Sequence, residues 1–417
     1  MRKKIFILTF GCAANRSRSE KMAGLIANGG YALAESEKEA DAIILNTCIV
    51  KKQTEQKILD RIKSIRKNFS GKKIVLAGCL LEIPEILEKA DCDGIIKNGN
   101  AAAVMSKLIK NELIDTANNS IHIVRNNPLI DIEEIAEGCL GSCSYCIVRR
   151  AKGALKSEPA DKIFRNIETA ISEGCKEIWL TAQDTACYGF DSGSELPELL
   201  DSVCRIGSDF SIHVGMMNPE RALKILPRLM EAYKSGKVYK FLHLPVQSGS
   251  DNILEKMGRK YKAEDFLHIA SEFRKRFPMI QIWTDIIVGF PGETEKDFEK
   301  TLALIKTAKP DFTNVSQFGP RPGTPAEKME QVAGEIKKQR SKRLSEILKG
   351  IYLENNKRWI GWEGKALVTE KSRTGFLARN FAYKPIQIRT DGNIIGKTAG
   401  VKITKAGSSA LFGEIIG

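Results

Sequence analysis

The chain has 417 residues, 42% of them hydrophobic, so a sizeable core is available and the length favours two or three domains. Its ten cysteines do not read as a disulfide framework, because disulfide-dense chains are short and secreted; they point instead to a reducing cytoplasm and metal ligation. The net charge is +14, and residues 337–417 hold 17 Lys/Arg against 6 Asp/Glu, which marks that end for contact with a polyanion rather than for a solubilising role alone.

At the N-terminus, Arg2-Lys3-Lys4 and Ile5-Phe6-Ile7-Leu8 before Gly11-Cys12 faintly resemble a lipoprotein signal. The apolar run is too short for one and reads as a first buried strand. No window approaches the ~18 apolar residues of a membrane span. The first third then repeats one phrase: apolar runs at 3–9, 42–46 and 73–77 lead into Cys12, Cys48 and Cys79, with helical stretches at about 20–29 and 52–68 between them. Continuous β-branched runs fit parallel strands buried on both faces. The cysteine spacings match successive βαβ units, whose post-strand loops share one sheet edge where ligands bind. Three thiols distant in sequence are thus expected to converge. Taken singly, each reads as a core cysteine, as do Cys92, Cys175, Cys187 and Cys204. The segment around 100–130 reads as a linker.

From 131 to about 330, strands are predicted at 132–137, 177–182, 211–216, 240–246, 281–288 and 312–317. Helices are predicted at 160–173, 195–206, 219–235, 251–257, 263–276 and 294–308. Six βα units in series predict an incomplete α/β barrel with its functional loops at the strand ends. After the first strand comes Gly138-Cys139-Leu140-Gly141-Ser142-Cys143-Ser144-Tyr145-Cys146. Close thiolates select iron–sulfur clusters, zinc or Cu(I). Structural zinc and ferredoxin clusters take four ligands, whereas this loop offers three, so it fits a cubane with one iron left open. Later strand ends carry Gln183-Asp184-Thr185, Gln247-Ser248-Gly249-Ser250, Gly289-Phe290-Pro291-Gly292 and Arg321-Pro322-Gly323-Thr324. Each also reads as a simple turn before a helix cap. The glycines at 289–292 lack the Walker lysine of a phosphate cradle. Residues 336–355 form an amphipathic pattern with a Lys/Arg face, and short strands at 365–370, 384–389 and 399–404 predict a small β-barrel.

Cys139-x3-Cys143-x2-Cys146, with Tyr145 before the last cysteine, resembles the radical S-adenosylmethionine signature. Together with Cys12, Cys48 and Cys79 it identifies the chain as similar to the methylthiotransferases, over essentially its whole length. His243–Ser250, Asp285–Thr294 and Arg321–Ala326 resemble stretches of that family, and the tail from about 357 resembles a TRAM domain, a small RNA-binding barrel. Leu140 and Ile147-Val148-Arg149-Arg150 depart from the isopentenyladenosine and ribosomal-protein types. With Gln183-Asp184-Thr185 they are similar to the archaeal and eukaryotic branch acting on threonylcarbamoyladenosine.

The resemblance implies a Rossmann-like methylthiotransferase domain (1–125), a partial (β/α)6 radical S-adenosylmethionine barrel (126–355) and a TRAM domain (356–417). It implies two [4Fe-4S] clusters, one on Cys12, Cys48 and Cys79 and one on Cys139, Cys143 and Cys146. S-adenosylmethionine would bind the open iron of the second, and its cleavage would give a radical that removes hydrogen from adenine C2. The first cluster would hold the sulfur. Strand-end position and resemblance assign Tyr145, Gln183, Gln247, Ser248, Gly289 and Phe290 to the cofactor, with Arg321 pairing its carboxylate. The implied partners are tRNA, an electron donor and a sulfur source, for a cytoplasmic monomer. Phe376, Phe381 and Tyr383 would stack on bases unless they form barrel core. Rival readings are methylthiolation of isopentenyladenosine or of a ribosomal-protein aspartate, and a non-catalytic iron–sulfur RNA-binding protein.

Overall fold

A computed structural model describes residues 2–97, 101–109 and 123–416. Much of the expected linker, residues 110–122, lies outside the described residues. The first unit is a five-stranded parallel sheet built from β1 (Lys4–Thr9), β2 (Ala32–Leu33), β3 (Ala42–Thr47), β4 (Lys73–Gly78) and β5 (Gly94–Ile95), in the order β2-β1-β3-β4-β5. Every residue of β3 is buried, as expected of a central strand covered on both faces. Helices α1 (Ala13–Asn28) and α2 (Lys52–Asn68) supply the crossovers. Ile58, Ile62 and Ile65 of α2 form its buried stripe.

The six expected strands of the central unit are β6 (Ile130–Glu134), β9 (Glu177–Thr181), β10 (Ser211–Val214), β11 (Phe241–His243), β12 (Gln281–Val288) and β13 (Phe312–Gln317). Between β6 and β9 lies a small antiparallel pair, β7 (Ala136–Glu137) and β8 (Lys156–Ser157). The six strands run parallel but form two three-stranded sheets, β10-β9-β6 and β11-β12-β13. The two sheets meet between β10 and β11 through an isolated parallel bridge, Ile212 to Val238, and a hydrogen bond from Met217 N to His243 O at 2.9 Å. The helix expected at 219–235 is two helices, Pro219–Lys224 and Leu226–Ala232. Pro227 lacks the N–H a continuous helix would use and clashes with the preceding turn.

The long helix Gly334–Lys357 leads to a closed barrel of β14 (Glu363–Ser372), β15 (Gly375–Asn380), β16 (Pro385–Ile388), β17 (Thr398–Ala406) and β18 (Leu411–Ile415), ordered β14-β15-β16-β18-β17. Val368, Ala378, Ile386, Ile388, Val401, Ile403 and Leu411 fill it. Phe376 belongs to that core, so it is not available to stack on a base. Among the described residues no helix is long and apolar enough to cross a membrane.

Candidate active site

Cys12, Cys48 and Cys79 follow β1, β3 and β4, and these strands are adjacent in the sheet. The three loops therefore meet at one edge, as the repeated phrase implied. Gly11 has φ +106°, and a Cβ there would stand 2.7 Å from Cys48 Cβ and 2.9 Å from Cys48 Sγ. Only glycine lets the backbone just ahead of Cys12 pass so near Cys48.

A side chain that the sequence reading passed over ties the loops together. Asn15, one turn into α1, donates from Nδ2 to Phe10 O and to Thr47 O, each at 2.8 Å. Its Oδ1 lies 3.9 Å from Cys79 Sγ. Asn46 Nδ2 donates to Asn15 O at 2.7 Å, and Thr47 Oγ1 donates to Ala77 O at 2.5 Å while accepting from Leu80 N at 3.2 Å. The only sequence signal was position: Asn15 three residues after one cysteine, Asn46-Thr47 just before another.

The second triad is fastened to the central barrel. Gly138 N donates to Gln183 Oε1 at 2.6 Å, so Gln183 supports the entry to the cysteine loop. Ser144 N and Oγ donate to Met257 O and Lys256 O at 2.9 and 2.7 Å, and Ala326 N donates to Ser144 O at 2.9 Å. At Gly141 an added Cβ would lie 3.3 Å from Cys139 Sγ and 3.6 Å from Cys143 Sγ, so the loop is wound closely around its thiols.

All ten cysteines are free, and the six motif cysteines line one cavity of about 1600 Å³. Ligand pockets commonly measure about 300–1,000 Å³, so this one has room for more than a single small molecule. Burial pushes the Cys48, Cys79 and Cys139 thiols up, and that of Cys146 to about 11. Without metal these four are thiols, and metal binding must release protons. Among the described residues no group of His, Cys, Asp and Glu has the arrangement of a single-ion site. Two sets of three soft thiolates, each on glycine-relieved loops, fit iron–sulfur clusters.

The remaining assigned residues divide. Tyr145, Gln183, Gln247 and Arg321 line the cavity; Ser248, Gly289 and Phe290 do not. Tyr145 packs edge-on against Phe290 with centroids 6.2 Å apart, and its hydroxyl accepts from Arg259 Nη2 at 2.5 Å. Ser248 is buried beside Thr301, its Oγ accepting from Ser250 N. Gly289 N donates to Glu293 Oε2 at 3.0 Å, and the Lys337 side chain occupies the space a Cβ would need. These positions shape the wall from behind. Arg321 is 4% exposed, and its Nη1 pairs with Glu55 of α2 at 2.6 Å. Among the described residues its Nε and Nη2 are buried without hydrogen-bond partners, two donors left for an anionic group.

A run of polar side chains also lines the cavity. His243 Nε2 and Asp285 Oδ2 are 2.9 Å apart, Asn314 Nδ2 donates to Asp285 Oδ1 at 2.8 Å, and Lys51 Nζ donates to Asn314 Oδ1 at 3.2 Å. His243 and Asn314 hold the Asp285 carboxyl below its usual range despite burial. Lys51 sits three residues after Cys48, so the sheet edge of the first unit reaches across to the central barrel.

Residues 134–305 match the Radical SAM superfamily, and residues 4–96 match the uncharacterized protein family UPF0004. A solved radical S-adenosylmethionine methyltransferase, TsrM from Kitasatospora setae, superposes with TM-score 0.54 at 13% identity, covering 78% of this chain and 75% of that one, a likeness of fold alone. Fold, cysteine loop and family match together define a radical S-adenosylmethionine enzyme with an additional cysteine-bearing domain. Two relatives narrow this further. A probable threonylcarbamoyladenosine tRNA methylthiotransferase of Pyrococcus horikoshii is 42% identical over 99% of both chains. The threonylcarbamoyladenosine tRNA methylthiotransferase of Drosophila melanogaster is 37% identical over 99% of this chain and 78% of its own. The chain belongs to the threonylcarbamoyladenosine tRNA methylthiotransferase family.

Proposed function

We propose that the protein converts N6-threonylcarbamoyladenosine, at the position 3′ of the anticodon in tRNA, to its 2-methylthio derivative. The observation that carries this reading is the single cavity lined by two cysteine triads, one from each of two units. Cys12, Cys48 and Cys79 would hold one [4Fe-4S] cluster, and Cys139, Cys143 and Cys146 a second. When bound, the clusters and S-adenosylmethionine supply the one-electron chemistry and the sulfur needed at an unactivated adenine carbon.

The chain's own residues bind, orient and exclude water. Arg321, with two unpartnered buried donors, is suited to the cofactor carboxylate. The His243–Asp285–Asn314–Lys51 wall favours a substituent that forms hydrogen bonds, such as threonylcarbamoyl with its hydroxyl and carboxylate. These side chains already partner one another, so an apolar isopentenyl group would gain nothing from them, whereas a carboxylate could meet the Lys51 charge. In the three-domain division at 125/126 and 355/356, the last domain presents exposed Lys371, Arg373 and Arg389 at one end for tRNA phosphates. An electron donor and a sulfur source complete the system, in the cytoplasm and with the chain as a monomer. Nucleoside mass spectrometry on tRNA from cells lacking the gene tests the reading. Loss of 2-methylthio-threonylcarbamoyladenosine is expected; an unchanged level refutes it.

A further inference from the structure

Tyr383 does not belong to the surface of the C-terminal barrel. It sits in the turn between β15 and β16 with φ +59°, a left-handed conformation that a bulky side chain adopts only when its surroundings impose it. The turn is bound from within, since Tyr383 N donates to Asn380 O at 2.8 Å, and Ala382 N and Lys384 N both donate to Asn380 Oδ1 at 3.1 Å.

It is also anchored to the central barrel on every side. Lys240 N donates to Phe381 O at 2.8 Å, and Gln281 Nε2 donates to Ala382 O, so the turn attaches just ahead of β11 and at the first residue of β12. Arg379 Nη1 lies 3.4 Å from Oε2 of the fully buried Glu177, whose other oxygen accepts from Tyr239 OH at 2.7 Å. Lys384 Nζ stands 3.8 Å from Asp311 Oδ1. Buried charges and a left-handed tyrosine both cost free energy, so this junction needs a return beyond joining two domains.

The ring's position supplies it. The Tyr383 ring packs at a tilt against His213 on β10, centroids 4.4 Å apart, and edge-on against Phe241 on β11 at 5.2 Å, the two strands at which the central sheets meet. Tyr239 and Trp179 complete the surround at 5.1 and 6.2 Å. Burial pushes His213 down to about 3, so a neutral ring faces Tyr383. Tyr383 also lines the same cavity as the six motif cysteines. On Trp179 the guanidinium groups of Arg16, from the first unit, and Arg379, from the last, lie 5.4 and 5.8 Å from the ring centroid.

We infer that Tyr383 is a positioning residue for the reaction: the C-terminal barrel lends it as a plug, packed where β10 and β11 meet, that forms the floor of the reaction chamber. Resting on the proposed activity, this gives that barrel a second task besides RNA contact. A sealed floor keeps water out and fixes how deep the modified base can sit; an open floor leaves cofactor cleavage running without product.

The test compares wild type with Tyr383→Gly, which tolerates the positive φ, and Tyr383→Phe, which keeps the ring. Three quantities are read: acrylamide quenching of tryptophan fluorescence in cofactor-free protein, tRNA affinity, and 5′-deoxyadenosine formed per methylthiolated nucleoside. For Tyr383→Gly we expect about twofold greater quenching, tRNA affinity within about twofold of wild type, and at least fivefold more deoxyadenosine per product. Tyr383→Phe should match wild type. A folded Tyr383→Gly with wild-type quenching and ratio overturns the inference, as does a loss of cleavage and product in equal proportion. If the glycine variant does not fold, Tyr383→Leu is judged by the same ratio. Should wild type itself leave threonylcarbamoyladenosine unmodified, the proposed activity fails while the quenching comparison still decides whether Tyr383 seals the floor.

Discussion

Replacing Gly11 by alanine should cost the protein one cluster and leave the other. Two effects act there, a φ of +106° that L side chains rarely adopt and a Cβ placed 2.7 Å from Cys48 Cβ and 2.9 Å from Cys48 Sγ. The backbone penalty is about 1–2 kcal/mol, which a folded domain absorbs. The steric effect is more serious, because ordinary contact begins near 3.4 Å and Cys48 would have to retreat from 2.7–2.9 Å to that distance. Cluster ligands tolerate about 0.2 Å. Gly71 separates the two effects, since its φ is +94° with nothing within 4 Å of an added Cβ. After reconstitution, wild type and Gly71→Ala should each hold about eight irons per chain and Gly11→Ala about four. The assay is iron quantitation beside the thermal midpoint. A Gly11→Ala protein that keeps about eight irons would refute the convergence of Cys12 and Cys48 on one cluster.

Arg321→Ala should destabilise the chain by about 3 kcal/mol, since it leaves Glu55 unpaired at a largely buried contact; Glu55→Gln in the same chain should recover much of this in urea titrations. Burial raises Glu133 from 4.5 to about 7. Folded protein then keeps a proton that the unfolded chain releases, so this stabilisation is present below pH 4.5 and lost as pH rises through 7. At about 1.4 kcal/mol per pH unit the loss approaches about 3 kcal/mol, and Glu133→Gln should flatten that part of the urea-midpoint profile; an unchanged slope contradicts the assignment. Neutralising Lys371, Arg373 and Arg389 together should lower the salt slope of tRNA binding by about 3 if each contacts a phosphate, and an unchanged slope places the RNA elsewhere.

The sequence made the cysteine-bearing edge legible because continuous apolar runs, regular βαβ spacing and a recurring thiol all report one geometry. It was silent where distant charges pair. Arg379 and Lys384 look like RNA contacts in a basic tail, yet both are buried against Glu177 and Asp311 of the central barrel. Arg321 reads from the sequence as a partner of the cofactor carboxylate, but its Nη1 already forms an ion pair with Glu55, far away in sequence. Helix α1 begins at Ala13, well before the stretch at 20–29, because its first turns are polar and packed against other elements. Ser17 Oγ donates to Ile132 O at 2.7 Å and Arg18 pairs with Glu134 at 2.8 Å, contacts that apolar periodicity cannot register. Strands β15 and β18 escaped notice because Arg379, Asn380 and Gly413 interrupt their short apolar alternation.

On the proposed reading, one chamber joins two three-thiolate sites to a threonylcarbamoyladenosine substrate. Reconstituted, reduced protein given S-adenosylmethionine and tRNA carrying that nucleoside tests it most directly, with product read by nucleoside mass spectrometry. Wild type should form 2-methylthio-threonylcarbamoyladenosine, and the chain with Cys12, Cys48 and Cys79 all replaced by alanine should cleave the cofactor without that product. Product formed by the triple variant, or wild type that thiolates only isopentenyladenosine, would contradict it.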